Sequence, residues 1–200
     1  MADESGKGAG NGGGNGSENG SENGSENRWR VLVCGSRDGL DGLAFGQVDR
    51  CVGKVLEELG AQDAEIVSGA ARGGDAFGEQ YAQAHGLPVA RFPADWDTYG
   101  KSAGFRRNLQ MVDYLKKRPG RGVVIAFWNG ESHGTMHTAS NTSGCGIPVY
   151  LVTRPWTEPR CVDPEELKQG PARPASAPAA PRENNPAKTV RQILRSLRRG

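Results

Sequence analysis

Apolar positions along this chain follow two periods that take turns. Runs of β-branched and apolar residues occupy 29–36 (WRVLVCGS), 64–69 (AEIVSG), 88–94 (PVARFPA), 122–128 (GVVIAFW) and 147–152 (IPVYLV), and predict five buried strands. Between them the spacing changes to three and four. Val48, Cys51, Val52, Val55, Leu56 and Leu59 predict a helix over 46–59, closed by Gly60. A second helix spans 74–85 and stops at Gly86, and Phe105, Leu109, Val112 and Leu115 predict a third over 104–117, ended near Pro119. A fourth runs over 134–143 to the break at Gly144 and Gly146. Strands apolar throughout that alternate with helices predict a parallel sheet buried on both faces. Right-handed crossovers wind it both ways, so the expected fold is α/β: a Rossmann-like, doubly wound, five-stranded parallel sheet with helices on both faces. In such a sheet, ligands bind beyond the carboxyl ends of the strands.

The two ends of the chain break this pattern. Residues 1–27 are Gly, Asn, Ser and Glu, with GSEN three times in succession. A segment with so little to bury does not offset its ordering entropy, so a disordered arm is expected. Residues 154–200 read as a Pro/Ala-rich basic tail. Within it Val190, Ile193, Leu194 and Leu197 recur among Arg191, Arg195, Arg198 and Arg199, which predicts a short amphipathic helix over 188–199. The folded domain is therefore expected over 28–153. Charge divides the same way: −4 in 1–27 (one basic against five acidic residues), +5 in 154–200 (ten against five) and +1 between (fourteen against thirteen), which gives the total of +2. The domain is near neutral, so any attraction to nucleic acid would come from the tail. Cys34, Cys51, Cys145 and Cys161 lack metal-ligand spacing, and neither a signal peptide nor an apolar run of membrane length occurs. Reduced thiols and a cytoplasmic location without membrane contact are expected.

Candidate chemistry sits in the turns. Two glycine-rich segments each follow an apolar strand and open a helix: SGAARGGD over 68–75 and FWNGESHGT over 127–135. Such turns leave backbone N–H groups at a helix N-terminus, where partial positive charge holds phosphate or carboxylate. In the first, Gly69 lets the chain leave the strand, Gly73 and Gly74 bring backbone close to an anion, and Arg72 pairs a phosphate through its fork. Asp75 competes for the same N–H groups; its alternatives are to hold Arg72 or to accept a ribose hydroxyl. In the second, Gly130 and Gly134 bracket the loop, Thr135 offers a hydroxyl to phosphate, and Ser132 or His133 caps the helix. The plain alternative for both is a tight strand-to-helix turn with no ligand.

A longer segment, PADWDTYGKSAGFRRNLQM over 93–111, lies between the third strand and its helix. Its GKS at 100–102 is not a P-loop, because Asp95 stands where that motif needs Gly. A connection of this length in a compact domain usually has a task. Trp96 and Tyr99 are placed to stack on a base, and Lys101, Arg106, Arg107 and Asn108 to meet phosphate or sugar, the alternative being aromatics packed on the core. In CGSRD, over 34–38, Gly35 and Ser36 can approach a ligand backbone first and Arg37 can reach a phosphate. There is no GxGxxG, hence no sign of a nicotinamide cofactor, and no cofactor is expected. His133 and His137 are four apart but lack a third ligand, so no metal is expected. His85 closes a helix and serves its dipole, and no Ser-His-Asp arrangement follows from position.

In this order, GSR, SGAARGGD, PADWDTYGKSAGFRRNLQM, VIAFWNGESHGT and GIPV resemble the YspA/YpsA-related branch of the SLOG superfamily, relatives of the LOG and DprA Rossmann-like domains. The resemblance covers 30–152. It implies a domain that binds a nucleotide or nucleotide-derived phosphate ligand as a sensor or binding module. Because relatives pair through helices beside the site, it also implies a homodimer. LOG-type phosphoribohydrolases use an Arg in the helix after the third strand and a Glu in GGxGTxxE. Arg107 stands at the first position and Gly134 and Thr135 match the GT, but Thr138 stands where the Glu would be. A nucleotide N-glycosidase would then need Glu131 or Asp75 as its carboxylate beside Arg107. The DprA kinship, with the basic tail, implies a third reading, single-stranded nucleic-acid binding.

Overall fold

The computed structural model describes residues 27–156 and 158–170. Along the chain run β1 (Trp29–Gly35), α1 (Phe45–Glu58), β2 (Ala64–Ser68), α2 (Gly74–His85) and β3 (Val89–Arg91). A single-turn α3 (Trp96–Tyr99) passes through a 3-10 turn at Gly100–Ser102 into α4 (Ala103–Lys116). Then come β4 (Gly122–Trp128), α5 (His133–Ser143), β5 (Val149–Thr153), β6 (Arg160–Cys161) and α6 (Pro164–Gln169). The strands form one sheet in the order β3-β2-β1-β4-β5-β6. Pairings among β1 to β5 are parallel, with Val31 opposite both Ile66 and Val123; β6 lies antiparallel on β5.

The doubly wound sheet is the expected one, and its sixth strand is a correction to the expected five. β6 is two exposed residues at an edge, too short to show any period in sequence. Behind it, Asp163 caps α6 by accepting from the Glu165 N–H at 2.8 Å, with Pro164 in the first turn, and Val162 and Leu167 are buried on the sheet. The beginning of the segment that composition marks as tail thus continues the fold. Residues 1–26 of the arm expected over 1–27, and the amphipathic helix expected over 188–199, lie outside the described residues. β3 is shorter than the expected run: Pro88 and Pro93 flank it and donate no ladder hydrogen bond.

Side chains alternate across the sheet and define two layers. Val31, Val33, Ile66, Ile125 and Phe127 pack on one face with Val48, Val52 and Val55 of α1 and Tyr81 and Ala82 of α2. Leu32, Cys34, Val67, Val124 and Ala126 pack on the other with Met111 and Leu115 of α4, Ala139 of α5 and Leu167 of α6. Burying each large aliphatic chain contributes roughly 1.5–3 kcal/mol relative to leaving it in water. The first connections leave β1 toward β2 and β3, whereas the chain after β4 winds toward β5. β1 and β4 are therefore neighbours whose connections diverge, and a crevice opens beyond their carboxyl ends.

Candidate functional site

One serine ties the two central strands together at that crevice. The Ser36 N–H donates to the Phe127 carbonyl at 2.9 Å, and Ser36 Oγ accepts from the Asn129 N–H at 3.1 Å. Asn129 then shapes the turn that follows β4. Its Oδ1 accepts from the N–H groups of Glu131 and Ser132, both at 3.0 Å, and its Nδ2 donates to the Asp38 carbonyl at 3.1 Å. Ser132 caps α5: its Oγ accepts from the Thr135 N–H at 3.3 Å and from Thr135 Oγ1 at 2.9 Å. The first intrahelical bond runs from Met136 N–H to the Ser132 carbonyl. The amides of His133 and Gly134 thus stand without an intrahelical partner, and a Cβ built on Gly134 would meet nothing within 4 Å. This helix end is open.

The crevice is a cleft of about 460 Å³ lined by the β1 turn, the β4 turn and the first half of α4. Half-exposed Trp96 and Phe105 border it together with Lys101, and the Arg37 guanidinium lies 5.6 Å from the centre of the Trp96 ring. Inside it is a buried ion pair. Arg107 Nη1 donates to Asp75 Oδ2 at 3.3 Å and to the Gly69 carbonyl, and its Nε donates to Asn108 Oδ1 at 2.9 Å. Asn108 Nδ2 in turn reaches the Gly134 carbonyl at 3.5 Å. Burial pushes the Asp75 carboxyl up to about 6, against the lowering pull of Arg107, the Ala71 amide and Arg37. Burial also lowers Arg107, which Asp75 opposes. Cys34 lines the same cleft, but burial and then Asp75 push its thiol well above the usual range, which makes it a poor nucleophile.

The cleft brings together Gly35, Ser36, Arg37, Asp75, Trp96, Lys101, Arg107, Asn108, Glu131, Ser132, Gly134 and Thr135. The remaining expected ligand residues stand elsewhere. A Cβ on Gly73 would overlap the Ser36 carbonyl and come within 2.9 Å of Arg37 Cα; one on Gly74 would come within 2.5 Å of the Cys34 carbonyl carbon. The Gly74 N–H donates to the Ser36 carbonyl at 3.3 Å. These glycines let α2 press against the β1 turn. Gly69 leaves room for the ion pair: a Cβ there would sit 2.6 Å from Asp75 Oδ2. Asp75 also accepts the Ala71 N–H at 3.3 Å. Arg72 pairs on the surface with Asp38, a residue of the cleft rim, at 2.9 Å, and Tyr99, off the cleft lining, carries the Arg106 guanidinium on its ring at 4.5 Å. Gly130, at φ 95°, only turns the chain. The Thr135 hydroxyl expected for phosphate is committed to the cap. Thr138, at the position of the LOG glutamate, donates to the Gly134 carbonyl at 3.1 Å.

Asn129, Phe105, Met111 and Asp38 also line the cleft and were missed from sequence. The Asn-Gly pair at 129–130 was a readable turn signal. Phe105 fits a helical apolar stripe, yet its ring packs edge-on against His137 at 4.8 Å and stays 48% exposed. His85 pairs with Asp49 at 2.6 Å rather than serving a helix end alone. Among the described residues, no group of three or more His, Cys, Asp or Glu side chains is arranged to hold a metal, and no helix is long and apolar enough to cross a membrane.

Residues 29–99 match the YspA, cpYpsA-related SLOG family. The Gene 61 protein of Mycobacterium phage D29 is 36% identical over 89 residues, which cover 42% of this chain and 67% of that protein. The X-ray structure of DNA processing protein A (DprA) from Streptococcus pneumoniae superposes with a TM-score of 0.44 at 19% identity. That overlap takes in 62% of this chain and 50% of DprA, so the chain spans about half the length of that structure.

Proposed function

Since the chain belongs to the YspA, cpYpsA-related SLOG family, we propose that the cleft binds a nucleotide or nucleotide-derived phosphate ligand and that the domain is a binding or sensing module. The supporting observation is the open N-terminus of α5 in the same cleft as two cations and a half-exposed indole. In this reading the amides of His133 and Gly134 receive phosphate, Arg37 and Lys101 neutralise it, and Trp96 stacks on the base. Calorimetry with nucleoside mono-, di- and triphosphates tests it. Trp96→Ala removes a stacking surface worth about 1–3 kcal/mol, so affinity falls roughly ten- to hundredfold while the melting temperature holds. Unchanged affinity in that variant sinks the assignment.

A second reading, nucleotide N-glycosidase action, is favoured by one feature: a buried carboxyl of pKa about 6 in the cleft beside Arg107. A group so poised can protonate a departing base near neutral pH. Glu131 stands exposed at the cleft. Release of free base and ribose 5-phosphate from a nucleoside monophosphate, abolished in Asp75→Asn, would promote this reading. Binding without product leaves the module.

A further inference from the structure

The Arg107–Asp75 pair is buried, lines the cleft and carries no net charge. Arg107 Nη1 and Nε are committed to Gly69, Asp75 and Asn108, and Asp75 Oδ2 is committed to Arg107 and the Ala71 N–H. Among the described residues, no hydrogen bond engages Arg107 Nη2 or Asp75 Oδ1, and both residues line the cleft. A phosphate set here would face a carboxylate, or would displace it and leave a buried charge uncompensated. Hydroxyl groups fit without any change of charge. Each donates a hydrogen bond to the carboxylate and accepts one from the guanidinium.

We propose that Asp75 and Arg107 read the sugar hydroxyls of the bound nucleotide, so that the cleft takes ribonucleotides in preference to deoxyribonucleotides. This rests on the nucleotide reading above and names the ligand class. Asn108 fixes the spacing. Its Oδ1 holds Arg107 Nε and its Nδ2 reaches the Gly134 carbonyl at the open end of α5. The hydroxyl seat and the phosphate seat therefore lie one side chain apart, as the two ends of a ribose 5-phosphate require. The charged groups facing Asp75 are Arg107 from α4, Arg37 from the β1 turn and Glu79 from its own helix, with the Cys34 thiol beneath. Burial raises its carboxyl to about 6 against the pull of both guanidiniums, which leaves it an acceptor at pH 7.5.

The experiment compares, by calorimetry on the full chain at pH 7.5, the four ribonucleoside 5′-monophosphates with their 2′-deoxy and 3′-deoxy counterparts. Hydrogen bonds to charged groups predict that at least one deoxy form binds about tenfold or more weakly. Asp75→Asn, checked for folding by its thermal transition, should bring the ratio of ribo to deoxy affinities below about threefold. Equal affinity of the sugar forms in the wild-type protein overturns the ribose assignment and leaves the nucleotide reading standing. Failure of every nucleotide to bind overturns both. Discrimination that survives in folded Asp75→Asn overturns the role of Asp75. Should that variant not fold, the wild-type ratio alone decides.

Discussion

The two glycine-rich turns look alike in sequence and do opposite things in space. Each follows a buried strand, opens a helix and carries glycine where the backbone needs room. In 68–75 the room is used up: Gly73 and Gly74 lie against the β1 turn, and the buried Asp75 carboxylate is held by the Ala71 N–H and Arg107. In 129–135 the room stays open: Ser132 caps the helix and nothing packs on Gly134. A glycine-rich turn after a strand therefore has two uses, close packing or ligand approach. What packs across the turn separates them here: the β1 backbone meets Gly73 and Gly74, and nothing meets Gly134.

The sharpest way to break this comparison is to place the same methyl group in both turns. Gly74→Ala forces a Cβ into the β1 backbone, which cannot swing away, and the expected loss is about 3 kcal/mol or more in urea unfolding. Gly134→Ala adds a Cβ into open space in a first helical turn and should stay within about 0.5 kcal/mol of wild type, while weakening nucleotide binding through cover over the open amides. Equal stability of the two variants would erase the distinction. The buried carboxyl supplies the next largest effect. Asp75 is raised in the folded protein from its ordinary 3.8 to about 6. The folded state thus holds the proton more tightly, and this group's stabilising share is present below pH 4 and lost as pH rises through 6. That shift corresponds to roughly 3 kcal/mol. The stability difference, wild type minus Asp75→Asn, should be larger at pH 4 than at pH 7 by that order; a flat difference would mean that the carboxyl is not buried as described. The smallest effect concerns the cap of the open turn. Ser132→Ala should cost about 1 kcal/mol and speed amide exchange in the first turn of α5, leaving α2 untouched.

Much of this molecule was legible because it depends on periods and punctuation. The five parallel strands and the long helices follow from apolar spacing, and α2 runs over the expected 74–85 because Gly86 at φ 64° stops it. β6 was not legible: two exposed residues on an edge leave no pattern. Of the site, Arg107, Asn108, Trp96, Lys101 and Gly134 reach the cleft as their turns suggested. Arg72 is not among the lining residues; it pairs with Asp38 at the rim, and a partner 34 residues away along the chain leaves no local signal. Asn129 was readable as a turn residue but not as the joint between two strands, since Ser36 and Asp38 meet it only across the sheet.

The order of residues alone set the doubly wound sheet, the edge at which the turns gather and the positions of glycine and charge. It could do so because hydrophobic periodicity and backbone permissiveness act within a few residues. Which glycines meet a neighbouring backbone and which face open space was decided only when the helices packed on the sheet and α2 met the β1 turn. The same step joined Asp75 to Arg107, 32 residues apart. Steric contact and desolvation depend on what lies across the fold, and no local stretch of chain carries that information.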